Sequence, residues 1–425
     1  FDLPIALGIL VATGQLPPDE TAHSEVLGDL ALDGSLRQVP GVISAALAAT
    51  AASRSLVLPI AGAALAARVP DSRIIAAPDL LRLCAHLNGN CQLAAIAPDP
   101  RIPEHRYPDL ADVVGQPAAR RALEITAGGG HNLLMCGPPG TGKTLLASRL
   151  PGILPAPAPG EALTALALHQ IAGSGDCDQN YYRRPFRSPH HSATAAALVG
   201  GGNRPRPGEI SLAHGGVLFL DELPEFSRHT LEVMREPLES GRITLARARY
   251  TVTYPARFQL VAAMNPCPCG YNGDSELACR CTPDQVQRYH QRLSGPLLDR
   301  IDLHVGMSRL PATELLAGPG QTGPGRAETT AEVRARVDRA RARQEQRQGC
   351  CNARLAAPAL SRHCRLGSQA QRQLEQAASR MQLSARALHR SLRVARTIAD
   401  LAGSDGIEIA HLGEALGYRE TIARV

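Results

Sequence analysis

One lysine, Lys143, stands inside Gly137-Pro138-Pro139-Gly140-Thr141-Gly142-Lys143-Thr144, and every other one of the 45 Lys+Arg positions is arginine. The spacing is GxxxxGKT, a phosphate-binding loop. Its glycines let successive backbone N–H groups face phosphate, the ammonium reaches the β- and γ-phosphates, and the Thr144 hydroxyl serves Mg²⁺. A broad guanidinium fork cannot replace a compact ammonium in so tight a loop. The run His131–Cys136 ahead of the loop reads as a strand and Leu145–Leu150 behind it as a helix, the setting the motif requires. These residues predict that the chain binds ATP with Mg²⁺.

A second chemical signal lies downstream. Val217-Leu218-Phe219-Leu220 runs into Asp221-Glu222. A buried apolar strand that ends in acids delivers them to the carboxyl edge of an open α/β sheet, where ligands bind. There Asp221 would position Mg²⁺ and Glu222 would polarise the water that attacks the γ-phosphate. A third strand candidate, Phe258–Met264, ends in Asn265, a polar group able to reach the γ-phosphate or that water. Phosphoryl transfer also needs cations on developing charge. Two arginines qualify: Arg300, after a tight turn in Leu297-Leu298-Asp299-Arg300, and Arg386, at the start of a helix in Ser384-Ala385-Arg386. Either could instead cap or pair on a surface.

The order GPPGTGKT, LFLDE, Asn265, LLDR and SAR resembles that of AAA+ ATPases. The stretch Arg184–Phe226, RPFRSPHHSATAAALVGGGNRPRPGEISLAHGGVLFLDELPEF, resembles the magnesium-chelatase-like branch, and within it the ComM/YifB family. The resemblance spans essentially the whole chain. It implies that Asn265 is sensor 1, Arg300 the arginine finger and Arg386 sensor 2, with active sites shared between subunits of a homohexameric ring. It further implies a pore-facing insertion at Arg184–Gly208, in which His190 and His191 make substrate or coupling contacts, or else pack a turn. The activity implied is helicase or branch migration on DNA during recombination and natural transformation, in the cytoplasm. A second reading is a chelatase-type ATPase that remodels a protein partner, and a third is an ATP-gated scaffold with weak turnover.

Cys267-Pro268-Cys269 and Cys279-Arg280-Cys281 form a CxC–x9–CxC pattern in a loop rich in Gly, Asn and Asp. Four thiolates on a segment with little apolar content suit tetrahedral Zn²⁺; free thiols are the alternative. Cys84, Cys91, Cys136, Cys177, Cys350, Cys351 and Cys364 have no ligand spacing and read as core or surface residues.

The elements that must hold these groups follow from composition and punctuation. A chain of 425 residues with 44% hydrophobic and 20% charged residues is an ordinary globular protein of two or three domains. Aromatics at 3% argue against base-stacking platforms, and no apolar run reaches membrane-spanning length. Proline-rich stretches near Ala97–Pro108 and Gly318–Gly325 divide the sequence. Residues 1–97 resemble a Lon-protease-like α+β fragment. Gly28–Gly41 and the Ala-rich helix after it match that fold's strand–loop–helix, while Ile43 stands where its catalytic lysine would be. No general base is available to Ser35 or Ser44, so the peptidase reading fails. The start at Phe1, within an apolar run, suggests further sequence upstream. Residues 98–317 alternate strands and helices, as expected of an AAA+ core with a parallel sheet and flanking helices. Residues 318–425 read as a helical lid, with helices at Thr330–Gln348, Ser368–Met381 and Ser384–Ala402. From Arg326 onward 18 arginines face 10 acids, a basic balance that suits DNA phosphates or a solvated helical surface. Candidate phosphate contacts are Arg334, Arg336, Arg339, Arg341, Arg343 and Arg347 on one helix. Arg242, Arg247 and Arg249 lie near a hairpin expected from Ile243 to Thr253.

Overall fold

The computed structural model describes residues 2–97, 102–173, 180–202, 205–247, 250–274, 276–317 and 327–423. Two compact units emerge, one made of residues 1–105 and 157–183 and the other of residues 106–156 and 184–425.

The first unit is built on a four-stranded sheet in the order Ser24–Val26, Ser55–Pro59, Ile74–Ala77, Ala95–Ile96, with only the last strand antiparallel. A short antiparallel pair, Asp29–Leu30 with Leu36–Arg37, precedes the helix Val42–Ala51. Ile43 is fully buried among Leu56, Leu58 and Ile74, and Ser35 Oγ donates to Asp33 Oδ1 at 2.6 Å. The carboxylate beside Ser35 is thus its near neighbour Asp33, and the position of the expected lysine is filled by an apolar core residue. Residues 157–183, placed by the sequence reading inside the 98–317 core, belong instead to this unit. The helix Pro159–Ala172 sends Ala162, Leu163 and Leu166 into the same apolar cluster, and Gln170 Oε1 accepts from the Ile43 N–H at 3.2 Å. Its Ala/Leu face needs an apolar partner, and this sheet supplies one.

The second unit holds a five-stranded, all-parallel sheet: β1 (Leu133–Cys136), β2 (Phe186–Arg187), β3 (Val217–Leu220), β4 (Gln259–Met264) and β5 (Leu303–Gly306), in spatial order β5-β1-β4-β3-β2. Every residue of β1, β3 and β4 is buried, as a parallel sheet covered on both faces demands. Helix α1 (Pro117–Gly129) covers one side, and α2 (Lys143–Ala147) follows β1 directly. α3 (Pro283–His290) lies between β4 and β5, and after the sheet come α4 (Thr330–Gln348), α5 (Ser368–Met381), α6 (Ala385–Ala402) and α7 (Ile409–Ala423). The expected helices at 330–348 and 368–381 fall on these bounds. Ser384 is the N-cap of α6, its side chain accepting from the Ala387 N–H. Val333, Leu374, Val394, Ile398 and Leu412 join Met135, Phe219 and Val261 of the sheet in one continuous apolar core. The C-terminal helices thus share the sheet's core.

The proline-rich stretches at 98–101 and 318–326, Cys177 and Arg249 lie outside the described residues.

Candidate active site

β4 lies between β1 and β3, so three loops leave the same sheet edge side by side. The phosphate loop follows β1, Asp221 and Glu222 follow β3, and Asn265 follows β4. Gly140 and Gly142 take φ of +80° and +86°, left-handed values that side chains disfavour, and the loop needs both to turn back onto α2. Lys143 is buried and donates to the carbonyls of Gly137 at 2.6 Å and Pro138 at 2.9 Å, and to Asn265 Oδ1 at 3.1 Å. Its three N–H donors are all engaged, so an incoming phosphate must displace one of these acceptors. Burial pulls the Lys143 pKa below its ordinary value, while Asp221, Cys136 and Glu222 pull the other way.

Thr144 Oγ1 donates to Asp221 Oδ2 at 2.6 Å. This hydroxyl and carboxylate are the hard oxygen donors that Mg²⁺ takes together with nucleotide phosphates, and they already adjoin. The residues present therefore fit the ion. Thr141 Oγ1 donates to the Pro138 carbonyl at 2.9 Å, bracing the loop from within.

Glu222 sits at φ +52° directly after Asp221, whose Oδ1 accepts its N–H at 2.9 Å. A glutamate held in the left-handed region carries backbone strain, the kind that collects at functional sites. Its Oε2 lies 3.1 Å from His191 Nδ1. His191 comes shortly after β2, its ring tilted 35° against that of His190 with centroids 4.0 Å apart. Of the two roles open to this histidine pair, the geometry puts His191 against the acid expected to activate water.

The remaining candidates are placed differently. Arg300 is buried, donates to the Pro296 carbonyl at 2.6 Å and is ion-paired with Glu239. In this chain alone its guanidinium is held inward. Arg386 is exposed in the first turn of α6 and makes no bond to the phosphate loop among the described residues. Arg390, one turn further on, carries the electrostatics instead. It donates to Asp302 Oδ1 at 2.6 Å and to the Arg300 carbonyl at 3.0 Å. Burial would raise the Asp302 pKa, yet Arg390, His131 and the Asn132 N–H hold it well below the usual carboxylate range.

Sequence reasoning missed Gln116 as well. It adopts φ +54° ahead of α1, and its Nε2 donates to the carbonyls of Thr141 at 3.4 Å and Ser308 at 2.7 Å, fastening the phosphate loop to the end of β5. The only local signal was a polar residue after Gly115 at a helix start.

Among the arginines of α4, three are committed inward. Arg336 pairs with Glu124 and Glu328, Arg341 donates to the Ala127 carbonyl, and Arg347 pairs with Asp400 at 2.7 Å. Arg334 and Arg343 keep only loose pairs with Asp338 and Asp405 at 3.8 and 3.9 Å, and Arg339 is exposed. The helix thus offers about half the outward charge that the sequence suggested.

The expected hairpin is present as strands Arg242–Arg247 and Tyr250–Pro255. Tyr254 Oη donates to the Pro205 carbonyl at 2.8 Å, tying it to a second small hairpin of Gly200–Gly201 with Arg206–Pro207. Arg206 and Arg242 are exposed on the two.

The loop after Asn265 brings together Cys267, Cys269, Cys279 and Cys281, with all four sulfur atoms within 4.8 Å of one another. Backbone N–H groups of Arg280 and Tyr271 hold Cys269 down at about 6. Cys281, despite an N–H from Cys269, is pushed up to about 12 by desolvation and the neighbouring thiols.

A phosphate loop, an Asp-Glu strand end and an intervening Asn on one edge of a β5-β1-β4-β3-β2 parallel sheet, with helices after it, define a P-loop ATPase of AAA+ type. Family models agree on the branch. "Magnesium chelatase, subunit ChlI" matches residues 109–315, its C-terminal counterpart residues 327–419, and "Subunit ChlI of Mg-chelatase" residues 1–62. More narrowly, the chain belongs to the ComM/YifB family of magnesium-chelatase-like ATPases. It is 48% identical to the uncharacterized protein YifB of Salmonella typhimurium over 99% of its own length and 81% of that protein's. It is 46% identical to the competence protein ComM of Haemophilus influenzae over 99% of its length and 82% of that relative's. The magnesium-chelatase 38 kDa subunit of Acidiphilium rubrum is 28% identical over 38% of this chain and 53% of its own.

Proposed function

We propose that this chain is the subunit of an ATP-driven homohexameric ring that acts on DNA in the cytoplasm, promoting helicase-type branch migration during recombination of incoming DNA. The observation that carries this reading is a hydrolysis set gathered on one sheet edge, in a chain 46% identical to a competence protein along 99% of its length. In this reading Lys143 and the loop N–H groups hold the phosphates, and Thr144 and Asp221 hold Mg²⁺, which neutralises phosphate charge. Glu222 accepts the proton of the attacking water, and Asn265 orients it. Arg300, drawn off Glu239 by a neighbouring subunit, supplies positive charge to that subunit's γ-phosphate, with Arg386 acting at the same stage. Exposed Arg206 and Arg242, on hairpins tied by Tyr254, suit sequence-independent contact with phosphates. The N-terminal unit is read as a Lon-type fold without a catalytic pair.

A second reading, remodelling of a protein partner, draws on the inward commitment of Arg336, Arg341 and Arg347 and on the likeness to a chelatase subunit. ATP turnover with and without forked or four-way-junction DNA, across a salt series, separates the two. Stimulation that fades steeply with salt is expected of the DNA motor. A flat response with intact turnover sinks it and favours the protein partner.

A further inference from the structure

We infer that Cys267, Cys269, Cys279 and Cys281 bind one structural Zn²⁺, and that the metal-bound loop is a strut for the phosphate loop and Asn265. All four cysteines are free thiols. The Cys267 sulfur lies 3.3 Å from that of Cys269 and 3.7 Å from that of Cys279, and Cys269 and Cys279 are 3.6 Å apart. A tetrahedral ZnS₄ centre with bonds of about 2.3 Å has sulfur–sulfur edges of about 3.8 Å. The loop is close to that arrangement. Backbone N–H groups already point at two of the sulfurs, from Asn272 to Cys267 at 3.3 Å and from Cys281 to Cys279 at 3.4 Å. Such N–H···S bonds orient thiolate ligands and offset part of their charge.

Apart from Asp274, which accepts the N–H groups of Glu276 and Leu277 and pairs with Arg309, the segment has little apolar packing to order it. Among the described residues from 265 to 282 there is no helix or strand, and its one large aliphatic side chain, Leu277, is exposed. A loop that buries so little apolar surface gains most of its order from polar contacts and from a covalent or metal crosslink. An all-thiolate tetrahedral set selects zinc over the hard cations, whose preferred ligands are oxygens.

The position of the loop gives the metal its consequence. Gly270, in the turn between the two cysteine pairs, packs so closely on the phosphate loop that a Cβ there would lie 2.7 Å from Pro139 Cδ. The loop begins at Asn265, which receives the Lys143 ammonium. It ends at the Thr282/Gln285 capping box that starts α3, and His290 of that helix returns to within 3.0 Å of the Pro266 carbonyl. The cysteine loop is therefore fastened at both ends around the nucleotide-sensing residue and pressed on the phosphate loop in the middle. This second half of the inference rests on the reading of Lys143 and Asn265 as the nucleotide site; the zinc half does not.

The test measures metal content of the full chain and, separately, binding of a fluorescent ATP analogue. About one zinc per chain is expected, released by a mercurial thiol reagent and lost in Cys279→Ser/Cys281→Ser. Absence of zinc, or iron with the visible absorption of a thiolate-bound cluster, overturns the zinc site. Metal-free protein should bind the analogue at least about ten-fold more weakly and recover when Zn²⁺ is returned. Unchanged affinity without metal overturns the strut. If the double variant does not fold, the release-and-return measurement on the unaltered chain decides. Lys143→Ala keeps its zinc while losing nucleotide, so failure of the nucleotide-site reading shows itself separately.

Discussion

At the scale of single residues, the phosphate loop holds its lysine in a closed arrangement in which carbonyls and Asn265 take the place of phosphate oxygens. Lys143→Ala removes the donor and should abolish detectable nucleotide binding in a titration with a fluorescent analogue. Glu222→Gln keeps the shape and removes the base. It should bind ATP normally while kcat falls by at least about 100-fold, and normal turnover would show that another group activates the water. His191 lies against the same carboxylate at 3.1 Å, so it competes for the oxygen that would take a proton from water. His191→Ala should raise basal kcat a few-fold with little change in KM, and a drop in both would mean that the contact supports catalysis instead. The loop was readable in the sequence because its chemistry closes within eight successive residues. The His191–Glu222 and Arg300–Glu239 contacts were not, since each joins segments far apart in the sequence that only the fold brings together.

Between elements, the apolar join of β5 to α6 is reinforced by an ion pair. Asp302 at the head of β5 is buried and pairs with the part-buried Arg390 of α6, and its Oδ2 accepts the Asn132 N–H at 2.8 Å. Removing one partner strands the other's charge, so Asp302→Ala should cost about 3–5 kcal/mol, read as a lower denaturant midpoint. His304, on the same strand, is held neutral by burial and by Arg419, its pKa brought down to about 3. The unfolded chain takes up that proton below about 6.5 and the folded one does not until near 3, so stability is lost as pH falls through this window. Buried His131, whose pKa is also lowered by burial, adds to the slope. The Tm should fall steadily between pH 7 and pH 4, and His304→Leu should flatten the fall; an unchanged slope would place the effect elsewhere. Helices such as 330–348 could be read from capping boxes and terminal glycines, which are local. The destination of the α4 arginines could not, because a charged face reads the same whether water or Glu124 and Asp400 receives it.

For the whole molecule, a shared active site predicts complementation. Arg300→Ala and Lys143→Ala proteins, each inactive alone, should regain partial ATPase activity when mixed, because finger and phosphate loop then come from different subunits. No recovery at any ratio would confine Arg300 to its pair with Glu239. The order of the sheet motifs was open to sequence reasoning, whereas the allegiance of residues 157–183 was not, since an Ala/Leu helix carries no label for the sheet it covers. That detour leaves and rejoins the second unit at one spot. Arg184 donates to the Pro155 carbonyl at 2.8 Å and to the Ala156 carbonyl at 3.3 Å, so the two ends lie side by side. For protein engineering this makes the stretch a detachable cassette. Cutting away residues 1–105 alone would strand Ala162, Leu163 and Leu166 without cover and give insoluble protein. Excising the cassette as well, and closing Ala156 to Arg184 with a short linker, should give a soluble minimal ATPase.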